Sequence, residues 1–188
     1  MTTTRARTMT LQQFLALPER KPALEYADGE VTQKVSPKAQ HARLQSKMAE
    51  FFNQIGEPDH LAMAFTEARS TWSELSQVPD VSVYRWARIP RTADGEIADD
   101  LTEPPDIAVE VLSPGQSLRD QTAKCRRYIA RGVPIAVLVN PRRERSVRIF
   151  RADGSEVTLT GDDRIDLAPV LPGLELTVRA LFATLRID

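Results

Sequence analysis

Cysteine, histidine and long apolar runs are what this 188-residue chain has least of. Its one cysteine, Cys125, cannot close an internal disulfide or hold a structural zinc by itself, and two histidines rule out a histidine-rich metal centre. A bound metal is therefore expected to rest on oxygen ligands. No stretch approaches the roughly 18 apolar residues that span a bilayer, and the start MTTTRARTMT has no apolar core of the secretory type. These absences predict a cytoplasmic protein that engages no membrane. Internal repeats and low-complexity tracts are missing as well. What remains is ordinary globular composition, 41% hydrophobic and 27% charged, at a length that suits one domain over residues 10–188 behind a flexible start at 1–9.

The formal charge is 25 minus 26, or −1, so the chain as a whole shows no general affinity for polyanions. Its distribution is uneven. Between Arg119 and Arg151 stand ten Lys or Arg against two acids, Asp120 and Glu144, whereas Asp94 to Asp106 holds six acids and no base. The basic segment reads either as a solvated face or as a surface for a polyanion.

Apolar spacing predicts a short helix from Thr10 with Leu11, Phe14 and Leu15 on its stripe, and a long one over 39–55 with Leu44, Met48, Phe51, Phe52 and Ile55 on one face. Leu24–Tyr26 and Val31–Val35 read as a hairpin around Asp28-Gly29. Two strands are expected at 64–72 and 78–84, divided by a polar turn at 73–77, with a long loop at 85–105. Residues 106–112 and 133–139 are continuous apolar strands joined by a helix that opens at Ser117 and stops at Gly132, which predicts a parallel crossover unit. A hairpin over 147–159, a strand at 174–176 and a helix at 177–185 complete a mixed α/β chain.

Glu110 is the informative residue, because a carboxylate in the middle of Ile107-Ala-Val-Glu-Val-Leu112 must meet a cation or be very costly to bury. Asp80, after Pro79, opens another apolar strand and points a second carboxylate across the sheet end. Two such acids can share one Mg²⁺ or Mn²⁺, whose remaining coordination positions go to water and substrate oxygens.

Pro79-Asp80 followed by Glu110-Val-Leu112 resembles the core motif of the PD-(D/E)XK nucleases, with Leu112 at the position where that motif places its lysine. Lys124, on the following helix, stands where some members carry the relocated lysine. A fuller set of residues is similar to the Uma2 family of restriction-endonuclease-like proteins: Leu24-Glu-Tyr-Ala-Asp-Gly-Glu30, Ser36-Pro37 with His41, Pro79-Asp80-Val81, Pro105 to Pro114, then Asp120, Lys124, Tyr128 and Gly132-Val133. After Gly132-Val133 this chain reads Pro134 to Pro141 with Asn140, where that family commonly has aromatics and an Asp-Pro.

The resemblance implies a restriction-endonuclease-like core of αβββαβ type, a mixed central sheet flanked by helices, with N-terminal and C-terminal hairpins and a last helix added. It also implies a metal-dependent endonuclease acting on DNA, as a homodimer by analogy. Asp80 and Glu110 would hold Mg²⁺ or Mn²⁺, and Lys124 would orient the attacking water or neutralise phosphate charge. The plain alternative for Lys124 is a surface pair with Asp120. Secondary candidates are Glu30, after the hairpin turn, and His41, Gln121 and Tyr128; Lys38, Arg43, Arg126 and Arg127 are candidates for contact with nucleic acid. Two rivals remain: a nuclease fold that binds without turnover, and an oligomerisation domain whose buried acids pair with arginines.

Overall fold

A computed structural model describes residues 9–187, so all but Met9 of the flexible start expected over 1–9 lies outside the described residues. The first helix, α1 (Leu11–Leu15), is held by a reciprocal capping box between Thr10 and Gln13. β1 (Leu24–Ala27) and β2 (Glu30–Gln33) form the expected hairpin, with Asp28 and Gly29 both at positive φ. The long helix α2 (Ala39–Gly56) buries Leu44, Met48 and Phe52.

The predicted strand over 64–72 is instead two strands in two different sheets. β3 (Ala62–Thr66) ends at Glu67, whose φ of 53° turns the chain out of the main sheet, and β4 (Ser70–Trp72) joins a second one. The polar turn expected over 73–77 is only Ser73-Glu74. Both have positive φ, so a two-residue turn sets Trp72 opposite Leu75 and starts β5 (Leu75–Gln77).

β6 (Val81–Arg85) and β7 (Ile107–Val111) are antiparallel neighbours, and β7 runs parallel to β8 (Ile135–Asn140) across α3 (Leu118–Ala130). Ser117 caps α3, and Gly132, at φ +94°, turns the chain out of its end. β9 (Ser146–Arg151) and β10 (Glu156–Leu159) add the C-terminal hairpin. No strand forms at 174–176, where Leu174 and Leu176 pack as apolar coil, and the last helix α4 spans Val178–Ala183, capped by Thr177.

The main sheet runs β10-β9-β8-β7-β6-β3 and the small one β2-β1-β5-β4. Strand alternation divides the core. Val81, Val83, Ile107, Val109 and Val111 face α2 and the C-terminal segment, while Ala108, Leu112, Ala136 and Leu138 face α3 and the small sheet. The 85–105 segment carries a 3₁₀ turn at Trp86–Arg88 and buries Ile89 and Leu101 against Tyr84. No helix among the described residues is long and apolar enough to cross a membrane.

Candidate functional site

Continuing the register of Val81 opposite Val109 by one residue places Asp80 opposite Glu110. Period-two alternation turns Glu110 to the face of the sheet that α3 covers, between Ala108 and Leu112. Both acids are almost entirely enclosed, Asp80 at 1% and Glu110 at 3% exposure. Leu112, at the position of the absent strand lysine, is buried in the apolar layer under α3.

Lys124 reaches Glu110 from the inner face of α3, with Nζ 2.9 Å from Oε1. It does not pair with Asp120. Its other partner is Glu25 on β1, whose two oxygens accept from Nζ at 2.9 and 2.8 Å, while Glu25 Oε1 also accepts the Val78 N–H at 2.9 Å. The Tyr128 hydroxyl donates to Glu110 Oε1 at 2.7 Å, one turn further along the same helix. Cys125 and Trp72 pack in this layer, and the Trp72 indole N–H donates to the Arg131 carbonyl.

A second lysine serves Asp80. Lys34, just beyond β2, donates to Asp80 Oδ1 at 2.7 Å, to Val78 O at 2.8 Å and to Glu67 Oε1 at 3.0 Å. Asp80 Oδ2 accepts the Val111 N–H at 2.6 Å, tying the two strands together at the site. His41, in the first turn of α2, has Nδ1 2.8 Å from Ser113 Oγ, and its Nε2 lies 3.3 Å from Asp80 Oδ1 without the alignment of a hydrogen bond. That buried nitrogen has no hydrogen-bond partner. Gln45 completes the wall by donating to the Asp80 carbonyl at 2.9 Å.

Two cavities meet here. The larger, about 680 Å³, runs past residues 19–23 and 34–37; the smaller, about 200 Å³, is lined by Glu25, Glu110, Asp120, Gln121, Lys124 and Arg127 among others. Lys34, Val35, His41 and Asp80 line both.

Burial opposes every charge in this cluster, and the partners decide each outcome. Burial would raise the Asp80 carboxyl, but His41 and Lys34 beside it hold it well below the usual carboxylate range. Burial pushes Glu110 up to about 7, reinforced by Asp80 and Glu25 and opposed by Lys124, which Glu110 must share with Glu25. Burial would lower both lysines, yet the surrounding carboxylates raise Lys34 and Lys124 above the ordinary ammonium value. Burial and Glu110 together carry the Tyr128 phenol far above its usual value.

The structure thus brings Asp80, Glu110, Lys124, His41 and Tyr128 into one cluster, with Gln121 at its rim. Glu30 is elsewhere, exposed beside the hairpin turn, and the carboxylate this hairpin supplies is Glu25. Of the residues nominated for nucleic acid, Arg126 is bound in bidentate fashion to Glu156 of β10, and Arg43 donates to the Thr184 carbonyl. Arg127 lines the smaller cavity, and Lys38 lies at the start of α2 beside a separate apolar groove formed by Leu112, Pro114 and Pro141. Glu25, Lys34, Glu67 and Ser113 were not found by sequence reasoning. Only Glu25 carried a signal, an acid between two strand residues.

Among the described residues, the potential ligand atoms that converge within 4.8 Å of one another are those of His41, Glu67 and Asp80. Glu110 is not in that group, and one of the three is a nitrogen ligand rather than an oxygen. An unpartnered imidazole nitrogen beside two carboxylates fits a divalent cation in its donor chemistry. The composition of the cluster points the same way: four carboxyl groups, on Asp80, Glu67, Glu110 and Glu25, face only two lysines, Lys34 and Lys124, and the Glu67 carboxyl is exposed.

The fold is similar to a solved structure from Anabaena variabilis ATCC 29413, described as "a putative nuclease belonging to DUF820", with a TM-score of 0.90 and 34% identity over 95% of this chain and 99% of that one. No curated protein matches the chain. The family model for Uma2, described as "Putative restriction endonuclease", matches residues 11–179, and the chain belongs to that family.

Proposed function

We propose that this protein is a metal-dependent endonuclease hydrolysing phosphodiester bonds in DNA. The observation that carries the reading is the cluster around Asp80, in which four carboxyl groups face two lysines and a buried imidazole nitrogen has no hydrogen-bond partner. His41, Glu67 and Asp80 are the residues that would hold Mg²⁺ or Mn²⁺, with Glu110 alongside. A divalent ion there would supply Lewis acidity toward a phosphate oxygen and a bound water of lowered pKa.

The remaining roles belong to the chain's own groups. Lys124, fixed by Glu25 and Glu110, carries positive charge at the cleft and meets charge developing on the phosphate. Glu110, raised to about 7, is matched to accept a proton near neutral pH, and the Tyr128 hydroxyl orients its Oε1. Ser113 fixes the His41 ring through Nδ1, which aims Nε2 at Asp80. Arg127, on the wall of the smaller cavity, supplies a cationic contact for the phosphate backbone, and Lys38, beside the neighbouring groove, extends that positive surface. A cytoplasmic homodimer, so that two sites cut two strands, belongs to the same reading.

The test is plasmid cleavage with Mn²⁺ against an EDTA control, using wild type and Asp80→Asn, Glu110→Gln and Lys124→Ala. Metal-dependent cleavage is expected in wild type, with loss in all three variants. Calorimetry should show divalent binding that is lost in Asp80→Asn and retained in Lys124→Ala. Cleavage undiminished in Lys124→Ala would remove that residue from the mechanism. One observation favours a second reading, a nuclease fold that binds nucleic acid without turnover: Leu112 fills the strand-lysine position. A salt-dependent gel shift without cleavage would select it.

A further inference from the structure

Lys34 is saturated. An ammonium has three donors, and Asp80 Oδ1, Val78 O and Glu67 Oε1 take all three within 3.0 Å. Two of those acceptors belong to the residues that, with His41, form the potential ligand group. The competition falls on one oxygen in particular. Asp80 Oδ2 is committed to the Val111 N–H, so Oδ1 is the oxygen turned toward His41 Nε2, and Oδ1 is the atom Lys34 holds at 2.7 Å.

We propose that Lys34 is the resident counter-ion of the His41–Glu67–Asp80 group and that a divalent cation enters only by displacing its ammonium, which makes Lys34 the residue that sets metal affinity. This rests on the metal-dependent reading above. Two cations on one carboxylate oxygen in an enclosed site repel each other far more than they would in water. Lys34 has somewhere to go, because it lines both cavities and follows a strand, β2, that is exposed along its whole length and pairs only with β1. Lys124 is the contrasting case. It is gripped by both oxygens of Glu25 and by Glu110, and it keeps those partners when a cation binds at Asp80.

Two measurements test the proposal. Calorimetric titration with Mn²⁺ should give at least about tenfold tighter binding in Lys34→Met than in wild type, a change of about 1.4 kcal/mol. Lys34→Gln, which retains a hydrogen-bond donor without the charge, should also bind more tightly. Reductive methylation of the wild-type chain read by mass spectrometry needs no variant to fold. Lys34 should label slowly without metal and several-fold faster with saturating Mn²⁺, while Lys124 stays protected in both. If wild type binds Mn²⁺ but Lys34 labelling is unchanged, or either variant that folds binds no more tightly, the displacement is refuted and the metal reading stands. If Mn²⁺ binds neither wild type nor the variants, the metal reading itself falls.

Discussion

Glu110 makes a pH prediction opposite in sign to ordinary acid denaturation. Its carboxyl shifts from 4.5 to about 7 on folding, chiefly because burial disfavours the charged form. A carboxyl that binds its proton more tightly in the folded state stabilises the fold as pH falls. This contribution is fully present below 4.5 and is lost as pH rises through about 7. At about 1.4 kcal/mol per pH unit, the interval amounts to about 3 kcal/mol. The perturbation is Glu110→Gln, which keeps an acceptor for Tyr128 and leaves Lys124 paired with Glu25. Urea unfolding of both proteins in EDTA, from pH 4.5 to 7.5, reads the response of Glu110 together with the groups coupled to it, because titrating groups distant from the cluster are common to both. For a slope of about 2 kcal/mol/M, the wild-type midpoint should gain about 1.5 M relative to the variant toward the acidic end. A difference that is flat across the range, or one that grows with pH, would refute the assignment.

Lys124→Met leaves Glu25 and Glu110 facing each other without their shared cation, so the fold should lose about 3–5 kcal/mol at pH 7 by chemical denaturation, and less near pH 5 as the carboxyls take up protons. Arg127→Gln should weaken oligonucleotide affinity and flatten its salt dependence in fluorescence anisotropy, whereas Arg126→Gln, whose side chain is spoken for by Glu156, should leave the slope unchanged. Gly56→Ala would put its Cβ 2.3 Å from the Ala62 carbonyl oxygen, so thermal unfolding should reveal a loss of about 1–3 kcal/mol. Mn²⁺ should raise the thermal midpoint of wild type and leave that of Asp80→Asn unchanged, since the substitution removes the buried carboxylate of the His41–Glu67–Asp80 group.

Local pattern was enough wherever a single face or a single turn decided the outcome. The stripe from Leu44 through Phe52 marked α2, and the strand-helix-strand run from Ile107 to Val139 marked the parallel pair that brings Lys124 to Glu110. The small sheet was hidden, because the breaks at Glu67 and at Ser73-Glu74 are positive-φ positions occupied by residues with no glycine to mark them. The site divides along the same line. Asp80 and Glu110 stood out as acids in apolar strands. Lys34 looked like a polar position of an ordinary hairpin and Glu25 showed only as an acid between two strand residues; the enclosure of both side chains depends on how the small sheet docks on α3 and β6, which no local periodicity encodes. Arg126 erred the other way, reading as free charge because Glu156 is 30 residues distant.

The hairpin's two ion pairs also fix when the site can exist. Lys124 and Glu25 are 99 residues apart in the chain, and Lys34 and Asp80 are 46 apart. Contacts of such long sequence separation raise the contact order of the fold, and a higher contact order goes with slower folding. On a growing chain the cluster cannot be complete before Lys124 has been made. The same separation makes the hairpin tip a point of vulnerability: a proteolytic nick near Asp28 would put Glu25, on β1, and Lys34, just beyond β2, on different fragments held together by strand pairing and not by a peptide bond.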